Sequence, residues 1–208
     1  MKTVFVDRDG VINRNRGDHV KSWDEFVFLP HAADALAELT RHGLRIVVLT
    51  NQAAINRGIT SRETIEEIHL RMVAALDAAG ARIEGVFYCP HRPEEGCSCR
   101  KPQPGLLFQA AEKLGIDLSQ SYLIGDALTD VLAAKRAGCR PILVMTGRGL
   151  SQFLSPRARG VAGYSVSRDL GHAVRRVLVE EGLVKPGLWE RLRGRLDPIP
   201  SSLRASSR

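Results

Sequence analysis

Short, uninterrupted apolar runs recur along this 208-residue chain, with amphipathic helical patterns filling the intervals between them. Thr3-Val-Phe-Val6, Arg45-Ile-Val-Val-Leu49, Gly85-Val-Phe-Tyr88, Tyr122-Leu-Ile124 and Ile142-Leu-Val144 lack the polar alternation of a strand with one wet face. They read as strands covered on both faces, the pattern of a parallel sheet between layers of helix. Ala32, Leu36 and Leu39 share one face of a helix that stops at Gly43. Thr60 and Glu63 have capping-box spacing ahead of Ile65, Ile68, Met72 and Leu76. Pro104 opens a helix carrying Leu107, Ala110, Ala111 and Leu114 up to Gly115, and a further helix runs from near Thr129 to Gly138. A sixth run, Val161 to Val166, followed by Leu170, Val174, Val177 and Leu178 at helical spacing, adds an edge strand and a last helix. Strand–helix alternation of this kind predicts an α/β fold with a doubly wound, mostly parallel, Rossmann-like sheet joined by right-handed crossovers.

Composition narrows the class further. With 44% hydrophobic and 25% charged residues the chain can bury a core, which excludes wholesale disorder, collagen and a coiled coil. No apolar run approaches the roughly 20 residues of a membrane span, so no membrane partner is expected. Only Lys2 precedes the apolar run that begins at Val4, so no signal peptide is read and a cytoplasmic location is expected. The net charge of +7 favours anionic partners. The residues from Leu183 to Arg208 hold six Lys/Arg (185, 191, 193, 195, 204, 208) against Glu190 and Asp197. We therefore expect a domain over residues 1–182 and a loose, basic tail over 183–208, and the charge alone does not make a nucleic-acid binder.

In sheets of this type ligands bind beyond the carboxyl ends of the strands. Reactive residue types stand at those places: Asp7-Arg-Asp-Gly10, Thr50-Asn-Gln52, Cys89-Pro-His91, and Gly125-Asp126 with Asp130 four residues on. Asp7 and Asp9, two apart on extended chain, can face one side of a crevice that Asp126 enters from another strand. Clustered carboxylates repel one another unless a cation lies between them. An oxygen-only set with open positions suits Mg²⁺, and Thr50 with Lys101 completes a phosphate site. A second constellation is Cys89-x-His91-x5-Cys97-x-Cys99. Three thiolates and one imidazole close a tetrahedral Zn²⁺ shell and leave no position for catalysis, so the metal is structural. Disulfide pairing is the competing reading, disfavoured without a secretion signal. Arg100 and Lys101 follow Cys99 directly, so zinc would fix the backbone that aims both cations at the crevice. Cys139 is expected to be buried. His31, His42, His69 and His172 fall in helical patterns and read as surface or core residues. Trp23, Phe26 and Phe28 are expected to close the first loop over the sheet edge. Gly147-Arg-Gly149 reads as a turn.

Asp7-Arg-Asp-Gly-Val-Ile-Asn13, Leu49-Thr-Asn-Gln52, Arg100-Lys-Pro102 and Ile124-Gly-Asp-Ala-Leu-Thr-Asp130 resemble the motifs of haloacid-dehalogenase-like (HAD-like) phosphatases over roughly residues 1–150. The resemblance implies that Asp7 attacks phosphorus to form an aspartyl phosphate, and that Asp9 protonates the leaving alcohol and later deprotonates water. It assigns Mg²⁺ to Asp7, Asp126 and the backbone carbonyl of Asp9. Thr50 and Lys101 would hold the phosphoryl oxygens, and Asp130 would orient Lys101 or a metal-bound water. The zinc signature narrows the resemblance to the capless members acting on heptose bisphosphates or histidinol phosphate. There the segment Asn15, Arg16, Gly17, Asp18, His19 and the residues Asn51, Gln52 and Ala53 would contact the sugar, with Arg100 on the distal anionic group. Ala127 stands where the heptose-type relatives often carry Lys, so a substrate cation would have to come from elsewhere, Arg57 or Arg148. The expected partner is a small phosphorylated sugar met by a monomer, with heptose 1,7-bisphosphate preferred. Histidinol phosphate, a nucleic-acid 3′-end and a non-catalytic zinc-stabilised binding module stay as alternatives. The lack of aromatic-rich basic stretches disfavours nucleic acid, and the paired Asp7 and Asp9 disfavour the binding module.

Overall fold

The computed structural model describes residues 2–187. In chain order the elements are β1 (Thr3–Val6), α1 (Ala32–Arg41), β2 (Arg45–Asn51), α2 (Arg62–Ala78), β3 (Ile83–Cys89), α3 (Gly105–Leu114), β4 (Tyr122–Gly125), α4 (Leu128–Ala137), β5 (Arg140–Val144), α5 (Gly149–Leu154), β6 (Ser165–Ser167) and α6 (Leu170–Glu180). The six strands form one sheet in the order β3-β2-β1-β4-β5-β6, and every pairing in it is parallel.

Why the apolar runs do not alternate is now explicit. Val4, Val6, Ile46, Val48, Ile124, Ile142 and Val144 turn to one face, where they pack with Leu36 and Leu39 of α1, Ile65 and Met72 of α2, and Val174 and Val177 of α6. Phe5, Val47, Leu49 and Leu123 turn to the other, under Leu107 and Ala110 of α3 and Ala133 and Ala134 of α4. Successive residues of a strand point to opposite faces, so two buried faces require apolar side chains at every position.

The strand order places the reversal of winding between β1 and β4. From β1 the chain moves outward through β2 to β3, then returns to β4 and moves the other way. Loops leaving β1 and β4 diverge and open a crevice between them. Register keeps the strand ends level: Val6 lies opposite both Val48 and Ile124, and the Asp7 amide donates to the Ile124 carbonyl at 2.9 Å.

Strands β2, β3 and β5 extend a residue or two beyond the apolar runs, to Asn51, over Ile83–Cys89 and from Arg140, and three further departures from the sequence reading have a local cause. The N-cap of α2 is Ser61, not Thr60; its extended backbone lets Oγ accept from the Thr64 amide at 3.1 Å, so Glu63 is not the return arm of a capping box. The last strand starts at Ser165, because Val161 serves as the C-cap of a 3₁₀ turn over Pro156–Gly160 and a left-handed Gly163 bends the chain within the apolar run. Gly149 opens the short helix α5 where a plain turn was expected. Trp23, Phe26 and Phe28 do pack on one another, with Trp23 stacked on Phe26 at 5.1 Å between centroids. Cys139 is buried. Of the expected tail, Val184 packs against the core, while residues 188–208 lie outside the described residues. Among the described residues no helix is long and apolar enough to cross a membrane.

Candidate active site

A cleft of about 520 Å³ opens at the carboxyl ends of β1, β2 and β4. Its lining includes Asp7, Asp9, Thr50, Lys101, Asp130 and Arg148, together with the loop residues Asn15, Arg16, Gly17 and His19, Asn51 at the end of β2, and Gln52 and Ala53 just beyond it. Arg100 lines it from the cysteine loop. Asp18, expected in the same group, does not line it: its carboxylate turns outward to Arg16 Nη2 at 3.0 Å and Lys21 Nζ at 2.6 Å. Trp23 and the exposed Arg57 are not among the lining residues either.

At the cleft floor Lys101 is buried and joins three elements. Its Nζ lies 2.9 Å from Asp7 Oδ1 and 2.7 Å from Asp130 Oδ1, and donates to the Leu49 carbonyl at 2.8 Å. Burial opposes its charge, but Asp130 and Asp7 outweigh it and hold the ammonium form. Asp130 also accepts from the Ala127 amide at 3.0 Å, which ties it to the first turn of α4. It fits because position 125 is Gly: a Cβ there would sit 2.3 Å from the Asp130 Cβ. Lys101 is fixed along its backbone too, where Asn51 accepts from its amide and donates to its carbonyl, each at 3.1 Å.

Asp7 accepts from the Arg8 amide at 2.8 Å and from Lys101, both on Oδ1. Burial pushes its carboxyl up to about 7, with Lys101 opposing and Asp130 and Asp126 adding. Asp126 is pushed up to about 6, by burial and then by Asp130, against Arg148. Its Oδ2 accepts from the Arg148 amide at 2.8 Å in a tight cradle. A Cβ at Gly10 would lie 2.1 Å from that oxygen and one at Gly147 2.2 Å, and both glycines have positive φ. Asp7, Asp126 and Asp130 bring carboxylate oxygens within 4.8 Å of one another. Hard oxygen donors at the edge of an open cleft, in a cradle that glycines leave clear, fit a Mg²⁺ that keeps waters and takes phosphate.

The Asp9 carboxylate is not part of that group. It accepts from Arg8 Nη2 at 3.1 and 2.9 Å, from Asn13 Nδ2 at 2.9 Å and from Gln52 Nε2 at 2.8 Å. Burial alone would raise it, but Arg8 and the Asn13 and Gln52 hydrogen bonds prevail and hold it below the usual aspartate value. The same Gln52 nitrogen reaches Thr50 Oγ1 at 2.8 Å, so it sets both side chains. Arg148 was named in the sequence only as a substitute cation; here its Nη2 stands 3.4 Å from Asp126 Oδ1, on the cleft wall. Thr129, Pro93 and Val20 also line the cleft without having been anticipated, since apolar and neutral residues carry no signal of chemistry.

Cys89, His91, Cys97 and Cys99 converge beside the cleft, with all four cysteines of the chain in the thiol form. Tetrahedral zinc bonds imply S···S separations of about 3.8 Å and N···S of about 3.5 Å. The sulfurs of Cys89, Cys97 and Cys99 lie 3.2–3.6 Å apart, and His91 Nδ1 is 3.5 and 3.3 Å from Cys89 and Cys99. This donor set fits zinc. Arg100 Nη1 donates to the His91 carbonyl at 3.0 Å, so the loop also holds the outer cation.

Comparison with known proteins agrees with this geometry. A family model described as “HAD-hyrolase-like” matches residues 98–163. The D-glycero-beta-D-manno-heptose-1,7-bisphosphate 7-phosphatase of Bordetella bronchiseptica is 39% identical over 183 residues, covering 86% of this chain and 99% of that protein. That of Pseudomonas aeruginosa is 39% identical over 157 residues, covering 76% and 88%. The crystal structure of the B. bronchiseptica D,D-heptose 1,7-bisphosphate phosphatase, complexed with magnesium and phosphate, matches with a TM-score of 0.80 over 86% of this chain and 99% of that one. The chain belongs to the HAD-like phosphatase family. It is a phosphatase, a hydrolase of phosphoric monoesters.

Proposed function

We propose that the protein is a cytoplasmic, monomeric, Mg²⁺-dependent sugar phosphatase that removes the 7-phosphate from D-glycero-β-D-manno-heptose 1,7-bisphosphate. The observation that carries this reading is the distribution of cations in one cleft. Lys101 is buried against Asp7, while Arg16, Arg100 and Arg148 stand farther out on the walls. One cationic centre suits the phosphoryl group being transferred, and the outer guanidiniums suit a second anionic group on the same small molecule. The relatives named for the heptose bisphosphate, matched nearly end to end, support the same substrate and its β anomer. Arg148 takes the recognition role that Ala127 leaves vacant.

Asp7 attacks phosphorus through its carboxylate while Asp9 gives its proton to the departing sugar oxygen. Asp9, now a carboxylate, takes a proton from the water that cleaves the aspartyl phosphate; Asp7 and inorganic phosphate result. The incoming phosphate dianion raises the Asp9 pKa by like-charge repulsion and loads it for the first step. Thr50 and Lys101 hold the phosphoryl oxygens over which transition-state charge spreads. Asp130 keeps Lys101 in place. Asp7, Asp126 and the Asp9 carbonyl would hold Mg²⁺, which supplies positive charge that keeps both carboxylates ionised and draws in the phosphate. Cys89, His91, Cys97 and Cys99 would hold Zn²⁺, which fixes the backbone leading into Arg100 and Lys101.

The test is phosphate release from both heptose bisphosphate anomers, histidinol phosphate and a 3′-phosphorylated oligonucleotide, each with Mg²⁺ and with EDTA. A kcat/KM preference for the β anomer that disappears in EDTA is expected. A preference for histidinol phosphate or the oligonucleotide overturns the substrate assignment and leaves the phosphatase chemistry standing.

A further inference from the structure

His69, on α2, carries no signal of chemistry in the sequence, yet the fold connects it to Asp9. Its Nε2 lies 3.0 Å from Nη1 of Arg8. The Arg8 side chain is wholly buried, under the Phe26 ring at 6.0 Å, and its Nη2 grips both oxygens of Asp9. A guanidinium has only donors, so the His69 nitrogen facing it must present a lone pair, and the ring proton must sit on Nδ1. Arg8 Nε finds no hydrogen-bond partner among the described residues. Among the described residues the guanidinium is therefore hydrogen-bonded by two side chains, Asp9 at one end and His69 at the other, beneath the Phe26 ring. Asn13 and Gln52 hold Asp9 from other directions but do not fix the plane of Arg8.

We propose that His69 is a positioning residue for the acid–base carboxylate: as a neutral Nδ1–H imidazole it accepts from Arg8 and sets the guanidinium that holds Asp9 on the leaving oxygen. The inference rests on the acid–base role given to Asp9 above. Its physical basis is that a buried charged donor without its acceptor is costly and reorients. Burial and the Arg8 charge push the imidazole down to about 3, so the ring is neutral wherever an enzyme of this kind works.

Two variants separate this role from packing. His69→Phe keeps a ring and removes the acceptor; His69→Gln keeps an oxygen that can accept from Arg8. Full-length, metal-loaded proteins are assayed on heptose 1,7-bisphosphate, whose alkoxide needs a proton to leave, and on p-nitrophenyl phosphate, whose phenolate does not. We expect His69→Phe to lose about 30-fold or more in kcat/KM on the heptose bisphosphate, mainly in kcat, and several-fold less on the aryl ester. His69→Gln recovers most of the loss. Nitrogen-15 shifts of the wild-type ring at neutral pH place the proton on Nδ1. Equal losses on the two esters, a His69→Gln as impaired as His69→Phe, or a proton on Nε2 overturns the proposal. Should His69→Phe not fold, His69→Gln and the ring shifts decide it. Asp9→Asn is run alongside: if it lacks the leaving-group bias, the acid–base reading of Asp9 fails, while the ring shifts still judge the His69–Arg8 pairing.

Discussion

Asp7 and Asp126 are pushed up to about 7 and about 6, burial being the first cause in each, from the 3.8 of a free aspartate. A folded state that holds protons the unfolded chain has released is stabilised at low pH. For these groups that stability is full below about pH 4 and is lost as pH rises through 6 and 7. A divalent cation that keeps both carboxylates ionised restores it. His69 shifts the other way, but it touches no metal and cancels in a comparison with and without Mg²⁺. Calorimetry should therefore find that Mg²⁺ raises Tm little at pH 5 and by about 3–5 °C at pH 7.5; an increment independent of pH would remove these carboxylates from the metal site. Asp7→Asn should cost at least about 10⁴-fold in kcat with Tm preserved. Appreciable turnover in that variant sinks the nucleophile assignment. The residue scale is also where the sequence was most informative: Asp7, Asp9, Thr50 and Asp130, read from the ends of the strands, meet Lys101, read from the cysteine loop, in one cleft. His69 was not legible, because nothing in its helical spacing distinguishes a core histidine from one aimed at Arg8.

At the scale of elements, the cysteine loop and α3 act as one unit. The Gly105 amide donates to the Ser98 carbonyl at 3.0 Å, and a Cβ on Gly105 would lie 2.4 Å from that oxygen, so the helix start is seated against the loop. Lys101 and Arg100 lie between the two. Loss of the metal should then loosen the cations as well as the cysteines. Cys97→Ser is expected to lower bound zinc and Tm together and to raise KM, read by metal analysis, calorimetry and steady-state kinetics on one preparation. Unchanged zinc content would eliminate the zinc proposal. The helix starts show where element-level reading stops. Thr60 and Ser61 are both good caps, and backbone dihedrals set by the preceding loop, rather than residue type, selected Ser61.

Over the described residues the central strands of the sheet are covered on both faces, and the site's carboxylates and cations gather at the carboxyl ends near the β1–β4 reversal. The alignment with the B. bronchiseptica protein takes in 86% of this chain and 99% of that one. We expect a chain ended after Gly187 to keep its Tm within about 2 °C and its kcat/KM within about twofold, by calorimetry and phosphate release; a larger fall would give the basic tail a part in the domain. Sequence by itself determined the fold class, the strands, the cysteine cluster and the residues after each strand, because apolar periodicity and ligand spacing are local properties. Tertiary structure decided the rest: that Asp18 turns outward, that Arg148 caps Asp126, and that His69 reaches Asp9 through Arg8. Asp18 is turned by its near neighbours Arg16 and Lys21, but the other two outcomes depend on contacts between residues distant in the chain. Only the folded sheet with its helices packed on it brings such residues within hydrogen-bonding range and strips away the water that would otherwise satisfy each of them separately.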